Sequence, residues 1–251
     1  MYFCSLNVFG LSVCFFMRLL RYIDYIFTFF ADKHCEMCGD SLELNSHGLC
    51  KKCAESGIFD SIRFQYEGNI IEQHLYGLVK VEAASALMKY TDNDVAHKLI
   101  YNLKYNNDKG VALLFGNQIA NHIVADDRYG NIDFVIPVPL HHNRLKKRGY
   151  NQSELIANQV AKVLNTEVNA TNLYRCRDNV SQTKKSKLQR AENVKMLFDI
   201  YDDAIFANKS VLLIDDVFTT GSTIIDCCRA LLKSENIKIY VYTAAAAYKE
   251  Y

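Results

Sequence analysis

The sequence predicts an α/β fold, in which a parallel β-sheet is flanked by helices and is preceded by a small separate module. The first reason is that apolar, strand-like runs alternate with helix-like segments from residue 132 to residue 246. The second is that residues 35–53 are polar, contain four cysteines, and offer no apolar run to form a core. Half of the 251 residues are hydrophobic, which suits one large domain with a small addition.

Periodicity and turn chemistry place the individual elements. Residues 91–94 read TDND, which is good N-cap chemistry, and apolar residues follow at helical spacing. The predicted strands are 77–90, 132–138, 209–215 and 237–246, and the predicted helices are 95–105, 111–124, 153–164 and 222–232. The tyrosine-rich residues 240–251 are expected to form an edge strand and a tail.

Charge and cysteine usage limit the class of protein. A formal net charge of +1 gives no overall attraction to nucleic acid or membrane, so either partner would need a local patch. The nine cysteines are an odd total and include two C-x-x-C pairs, and no cleavable signal sequence is evident. This usage favours a reducing, cytoplasmic compartment over a disulfide framework.

The N-terminal residues 1–31 form an apolar or amphipathic segment. Arg18 and Arg21 interrupt it, and neither apolar run reaches the roughly 20 residues that a membrane span needs. We therefore expect no stable membrane insertion, with contact at a membrane surface as the alternative. Met17 is as good a start as Met1, so residues 1–16 are a candidate for a wrongly assigned extension.

Residues 211–224 read VLLIDDVFTTGSTI, an apolar strand that ends in two carboxylates and continues into small hydroxyl residues. Adjacent Asp215 and Asp216 repel each other, so both stay ionised only when solvated, hydrogen-bonded or near a cation. Ribose hydroxyls or a Mg²⁺-bound diphosphate would meet that need. The loop that follows, at a helix start that favours anions, comprises Thr219, Thr220, Gly221, Ser222 and Thr223. The pattern predicts a ribose 5-phosphate cradle, with a capped turn as the alternative.

A second loop follows the predicted strand at 132–138. It begins at Pro137, Val138 and Pro139, which include the only two prolines of the chain, and it continues through a basic run with Arg144 and Arg148. Ligands of parallel sheets bind beyond the carboxyl ends of the strands, where both loops lie. A pyrophosphate group would need this positive charge. A solvated basic loop that caps a helix is the alternative.

These residues resemble a known family. The string at 211–224 resembles the 5-phosphoribosyl-1-pyrophosphate (PRPP) motif of type I phosphoribosyltransferases. With PVPLH at 137–141, RGYNQS at 148–153, RAENV at 190–194 and the LKY segment at 103–105, residues 35–246 resemble the ComF (ComFC) family, whose members are associated with DNA uptake. The resemblance implies a type I phosphoribosyltransferase-like sheet that binds Mg²⁺-PRPP. It also implies single-stranded DNA and a competence helicase as candidate partners.

The resemblance assigns roles to the two loops. It implies that the ribose and its reacting carbon lie on Asp215 and Asp216, the catalytic pair, and that the 5′-phosphate binds at 219–223. Pyrophosphate would face Pro137–Pro139, Arg144 and Arg148. The lysine-rich residues 175–193 stand where that family has a mobile loop that closes over PRPP; a solvated surface segment and a nucleic-acid contact are the alternatives.

Four cysteines define the small module. Cys35, Cys38, Cys50 and Cys53 form two C-x-x-C pairs a dozen residues apart, a spacing that suits a structural, tetrahedral Zn²⁺ site closed to water. Disulfides are the alternative, and ComF-type proteins commonly carry a four-cysteine finger here. The predicted organisation is an N-terminal segment over 1–31, a zinc-binding module over 32–60 and a phosphoribosyltransferase-like domain over 61–251.

The predicted function is that of a PRPP-binding phosphoribosyltransferase-like protein, which transfers the phosphoribosyl group to an unknown acceptor and is related to competence factors. The alternative is a non-catalytic DNA-uptake factor that binds single-stranded DNA or a helicase through the zinc module and the basic loops. No residue stands out as a general base, and none identifies the acceptor.

Overall fold

The computed structural model of the protein describes residues 33–43, 46–59, 65–92, 94–176 and 197–247. The expectations for residues 1–31, for residues 177–193 and for the tail after residue 247 lie outside these ranges. Within the ranges, no helix is both long and apolar enough to cross a membrane.

Seven α-helices, one short 3₁₀ helix (Ala204–Phe206) and seven strands are present in the described ranges. The helices are α1 (Lys51–Ala54), α2 (Ile70–Leu75), α3 (Val95–Tyr105), α4 (Lys109–Ala125), α5 (His142–Arg148), α6 (Gln152–Leu164) and α7 (Ser222–Leu231). The strands are β1 (Ala83–Lys89), β2 (Phe134–Pro137), β3 (Glu167–Val168), β4 (Leu173–Arg175), β5 (Phe198–Ile200), β6 (Ser210–Phe218) and β7 (Lys238–Ala246).

Five strands form one parallel sheet in the order β1-β7-β6-β2-β3. Along β6, Val211 and Leu213 pack into one core cluster and Leu212 and Ile214 into another, because successive side chains point to opposite faces. Helices α4 and α6 cover one face, and α2 and α7 cover the other. The predicted α/β fold with helices on both faces is confirmed.

Strand β7 corrects one expectation. Tyr240 pairs with Ala83 of β1 on one side and with Leu212 of β6 on the other, so this strand is internal. The prediction of an edge strand at 240–251 is wrong. The physical reason lies in the sequence itself, because residues 239–246 are buried without the polar alternation that a half-exposed strand shows.

Helix ends follow local capping chemistry. Asp94 begins α3 by accepting a hydrogen bond from the backbone N–H of His97 at 2.8 Å, as the TDND string predicted. Asn151 begins α6 by accepting one from the backbone N–H of Ser153. Helix α5 lies in the basic segment that the sequence predicted as a loop, and it ends at Gly149, whose φ of 80° is left-handed.

Candidate functional site

The two loops singled out in the sequence lie at the same edge of the sheet. Pro137 of β2 stands in register with Ile214 of β6, and the backbone N–H of Val138 donates to the Ile214 carbonyl at 2.9 Å. The Asn151 side chain donates to the Val138 carbonyl at 3.0 Å and fixes the chain beyond β2. The structure thus brings the proline segment next to the carboxylate pair.

The carboxylate pair is held by two groups that the sequence reasoning did not assign. Ser153 at the start of α6 donates from Oγ to Asp215 Oδ1 at 2.9 Å. Lys104 of α3 places Nζ 3.1 Å from Asp216 Oδ2, and both side chains are largely buried. Both residues lie in motifs that could have pointed to them, because Lys104 belongs to the LKY segment at 103–105 and Ser153 is the last residue of RGYNQS at 148–153.

The Asp215 carboxyl group binds its proton unusually tightly. Burial, and after it the neighbouring charge of Asp216, raises the pKa of Asp215 to about 7. The backbone N–H of Asp216 and the Ser153 hydroxyl act against this rise by donating to the Asp215 carboxylate. Asp215 therefore carries its proton for part of the time at neutral pH.

The hydroxyl-rich loop connects β6 to α7. Thr219, Thr220, Ser222 and Thr223 are exposed, and the Thr220 and Ser222 hydroxyl oxygens lie 3.0 Å apart. Gly221 is the N-cap of α7 and supplies no side chain to cap it. The first N–H groups of α7 are thus presented beside a cluster of hydroxyls, which is an arrangement that binds anions.

Gly221 is required by its conformation and by its surroundings. Its φ is +68°, and a Cβ atom there would lie 2.8 Å from Phe218 Cζ and 3.0 Å from His74 Cδ2. His74 of α2 lies 3.0 Å by Nε2 from the Thr220 carbonyl, to which it donates, and its ring meets Phe218 edge-on. A single histidine on a short helix gave no sequence signal for this role.

The basic segment lies on the exposed helix α5, in which no residue is buried. Arg144 is exposed, whereas Arg148 donates from Nη1 to Gln152 Oε1 at 2.9 Å and lies over the Tyr105 ring at 5.1 Å. The buried Gln152 Nε2 has no hydrogen-bond partner in the described part of the chain. Arg148 therefore links the start of α6 to α3, while Arg144 is exposed to solvent.

The four cysteines predicted as metal ligands come together. Their Sγ atoms all lie within 4.8 Å of one another, and those of Cys38 and Cys50 are 3.8 Å apart. Four thiolates at about 2.3 Å from a central Zn²⁺ would be separated by roughly 3.8 Å, so the donor set fits a tetrahedral ion. All four are free thiols.

The cysteine centre packs directly on α3. Cys35, Cys53 and Leu49 belong to the same buried cluster as Leu99 of α3, and Glu36 Oε1 accepts a hydrogen bond from the Asn102 amide at 2.5 Å. The helix that carries Lys104 to the carboxylate pair therefore also holds the cysteine centre.

Comparisons with known proteins find one matching family model and several relatives. Residues 150–250 match the family model of the phosphoribosyl transferase domain. The chain is 36% identical over 115 residues to competence protein F of Haemophilus influenzae, a match that covers 45% of this chain and only 50% of that protein. It is 24% identical over 202 residues to competence protein ComFC of Bacillus subtilis, covering 79% of this chain and 71% of that protein.

Other similar proteins carry different names. DNA utilization protein YhgH of Escherichia coli K12 is 25% identical over 216 residues, which cover 83% of this chain and 94% of that protein. Among solved structures, adenine phosphoribosyltransferase from Saccharomyces cerevisiae matches 56% of this chain and 71% of its own with 14% identity and a TM-score of 0.39. Over residues 150–250 the chain matches the phosphoribosyl transferase domain, and over much of its length it is similar to proteins named for competence and for DNA utilization.

Proposed function

We propose that this protein binds Mg²⁺-PRPP and transfers its phosphoribosyl group to an acceptor, in the cytoplasm and in connection with DNA uptake. The observation that carries the proposal is the carboxylate pair in the carboxyl-terminal half of β6, followed within a few residues by a helix start that has no side-chain cap and is rich in hydroxyls. A ribose 5-phosphate needs both features within a few residues of each other, because carboxylates accept from its hydroxyls and amides donate to its phosphate.

The donor is assigned to three parts of the site. Thr219–Thr223 hold the 5′-phosphate, with Gly221 allowing the backbone to approach the phosphate closely. Asp215 and Asp216 hold the ribose hydroxyls. Residues 137–139, with Arg144 and Arg148 of α5, face the pyrophosphate group. Arg148 would have to leave the Tyr105 ring in part to bind this group, whereas Arg144 is already exposed.

The chemistry requires charge stabilisation at both ends of one bond. The bond from C1 of the ribose to the pyrophosphate oxygen breaks, pyrophosphate leaves with the bonding electrons, and positive charge develops on the sugar. The Asp216 carboxylate, paired with Lys104, stabilises that positive charge, and Arg144 and Arg148 stabilise the leaving group. Mg²⁺, which favours carboxylate and phosphate oxygens, would neutralise charge on the diphosphate when bound.

The cysteine centre is assigned a structural Zn²⁺. Four thiolates leave no open position for water, so an ion there would hold the module together rather than act on the substrate. Its place against α3 supports this assignment, because a closed module keeps the helix that carries Lys104 in position.

Isothermal titration with Mg²⁺-PRPP tests the proposal. Asp216→Asn and Thr223→Val should each weaken binding by about 10- to 100-fold, because each removes a hydrogen bond to a charged or strongly polar group. Asp127→Asn, at an exposed aspartate, is the matched control and should bind like wild type. Wild-type protein that does not bind Mg²⁺-PRPP at millimolar concentration would refute the donor assignment. Pyrophosphate release in the presence of acceptors then tests transfer itself.

The relatives' names favour a second candidate function, binding of single-stranded DNA, alone or with a helicase partner. The exposed helix α5 supplies a local positive patch on a chain whose net charge is near neutral. Fluorescence anisotropy of a labelled single strand across salt concentrations tests it. Each phosphate contact should add about −0.7 to the slope of log affinity against log salt, and a slope near zero would dismiss this candidate.

A further inference from the structure

The last turn of α3, residues 102–105, contacts several distant parts of the molecule at once. It consists of Asn102, Leu103, Lys104 and Tyr105. Successive residues of an α-helix are rotated by about 100° around its axis, so these four neighbours face different elements. The turn therefore joins segments that lie far apart in the sequence.

One side of the turn meets the cysteine centre through Glu36. Asn102 donates from its amide to Glu36 Oε1 at 2.5 Å, and Lys98, one turn earlier, donates from Nζ to the Glu36 carbonyl at 3.4 Å. Glu36 lies between the first two cysteines, and its backbone N–H donates to the carbonyl of Gly48 at 2.9 Å, beside the second pair. The position of Glu36 is therefore set by the closure of both cysteine pairs.

The other side of the same turn meets the carboxylate pair. Lys104 Nζ lies 3.1 Å from Asp216 Oδ2. The carbonyl of Leu103 accepts a hydrogen bond from the Tyr150 hydroxyl at 2.6 Å, and Tyr150 belongs to the RGYNQS segment, whose last residue, Ser153, donates to the other carboxylate. The turn thus contacts one carboxylate directly and the segment that holds the second.

These polar contacts fix more than packing alone would. Leu99 and Leu103 already bury α3 in the cluster that it shares with Leu49 of the cysteine module, but apolar contacts are non-directional. Hydrogen bonds to charged groups are short and directional, so they set how far the turn is rotated and shifted along its axis. Because backbone hydrogen bonds make a helical turn move as a unit, a shift of Asn102 also moves Lys104.

We infer that Asn102 is a positioning residue for the carboxylate pair and that, through it, occupancy of the cysteine centre regulates the affinity for Mg²⁺-PRPP. This inference rests on the proposed function. Closure of the four thiolates around an ion orients Glu36, Glu36 orients Asn102, and the turn then sets the contact of Lys104 with Asp216. Linked binding is reciprocal, so bound Mg²⁺-PRPP raises the affinity for Zn²⁺ by the same factor.

Two titrations of the full chain test this linkage. Calorimetry gives the Mg²⁺-PRPP dissociation constant of the zinc-loaded and of the metal-free protein. Competition with a chelator selective for zinc gives the Zn²⁺ dissociation constant with and without saturating Mg²⁺-PRPP. In wild type each ratio should be about fivefold or more, and the two ratios should agree.

Three variants assign the linkage to the hydrogen bond of Asn102. Zinc-loaded Asn102→Ala should bind Mg²⁺-PRPP about fivefold more weakly than wild type, and both of its ratios should approach one. Glu36→Gln keeps a side-chain oxygen that accepts from Asn102 and should keep both ratios. Asn117→Ala is the matched control, because Asn117 of α4 accepts a hydrogen bond from Gln159 of α6 at 2.7 Å and so joins two other helices; it should behave as wild type.

The outcomes separate this inference from the proposed function. Zinc-loaded Asn102→Ala that binds Mg²⁺-PRPP as tightly as Asn117→Ala would overturn the inference, and this comparison decides even where circular dichroism shows that the metal-free chain unfolds. In a folded metal-free chain, ratios near one in wild type, or ratios in Asn102→Ala as large as in wild type, would overturn it as well. Failure of zinc-loaded wild type to bind Mg²⁺-PRPP would refute the proposed function and, with it, this regulation.

Discussion

Substituting Gly221 by alanine tests the reasoning about the hydroxyl-rich loop most directly. The substitution adds a single methyl group at a backbone φ of +68°. A non-glycine residue in this left-handed region costs roughly 1–2 kcal/mol. The added Cβ would also lie 2.8 Å from Phe218 Cζ and 3.0 Å from His74 Cδ2, and overpacking of this kind costs roughly 1–3 kcal/mol.

Gly221→Ala should therefore lower the free energy of unfolding by about 2–5 kcal/mol, measured by urea denaturation. The same variant should bind Mg²⁺-PRPP more weakly, because the loop must shift where the first N–H groups of α7 are presented. The expected fall in melting temperature is about 2–4 °C for each kcal/mol in a chain of this size.

Gly77→Ala is the matched control. Its φ is +73°, and nothing lies within 4 Å of a Cβ atom added there. It should cost only the backbone strain, about 1–2 kcal/mol, and leave Mg²⁺-PRPP binding intact. If both variants were destabilised equally, the contacts with Phe218 and His74 would contribute nothing and the steric argument would be refuted.

Three further predictions follow from the site and the cysteine centre. The folded state binds the Asp215 proton more tightly than the unfolded state does, so the free energy of unfolding should fall as pH rises from about 4 to about 7, by up to about 1.4 kcal/mol per pH unit. In urea denaturation, Asp215→Asn should make the free energy of unfolding depend less steeply on pH. An unchanged dependence on pH would contradict the raised pKa. Lys104→Met removes the ion-pair partner of the largely buried Asp216 and should lower the free energy of unfolding by about 1–3 kcal/mol. Adding Asp216→Asn should restore most of this loss. A double variant that is no more stable than Lys104→Met would count against the ion pair. Metal analysis of the purified protein should find zinc in wild type and none in Cys53→Ser. Cys176→Ser, which lies outside the cysteine centre, is the control and should retain zinc. Equal zinc in all three proteins would exclude the four-thiolate site.

Local patterns in the sequence were enough to predict the sheet and the position of both loops. The proline segment does end its strand, whereas β6 continues past the predicted end at residue 215 to Phe218. Both loops still lie at one edge, because parallel strands end on the same side of a sheet. The four cysteines were predictable for a similar reason, since ligand spacing is a local property.

Other features depend on contacts between distant segments and could not be predicted in this way. His74 reaches the hydroxyl-rich loop from α2, and Lys104 reaches Asp216 from α3, across more than a hundred residues of sequence in each case. The internal position of β7 was missed because tyrosines near a chain end suggested an edge, whereas strand order is set by pairing partners far away. Helix α5 was missed because a basic run has no apolar face to show helical periodicity.

The place of β7 in the sheet has a consequence for biosynthesis. In the described part of the chain β1 pairs with β7 alone, so Ala83 cannot pair until Tyr240 has been synthesised. Until then β1 and β6 each present an open edge, which is the condition that invites wrong pairing and aggregation. Such long-range parallel pairing is also slow. A ribosome-bound chain that stops short of residue 238 should therefore remain protease-sensitive and require chaperone protection, and protection should appear only once β7 has emerged.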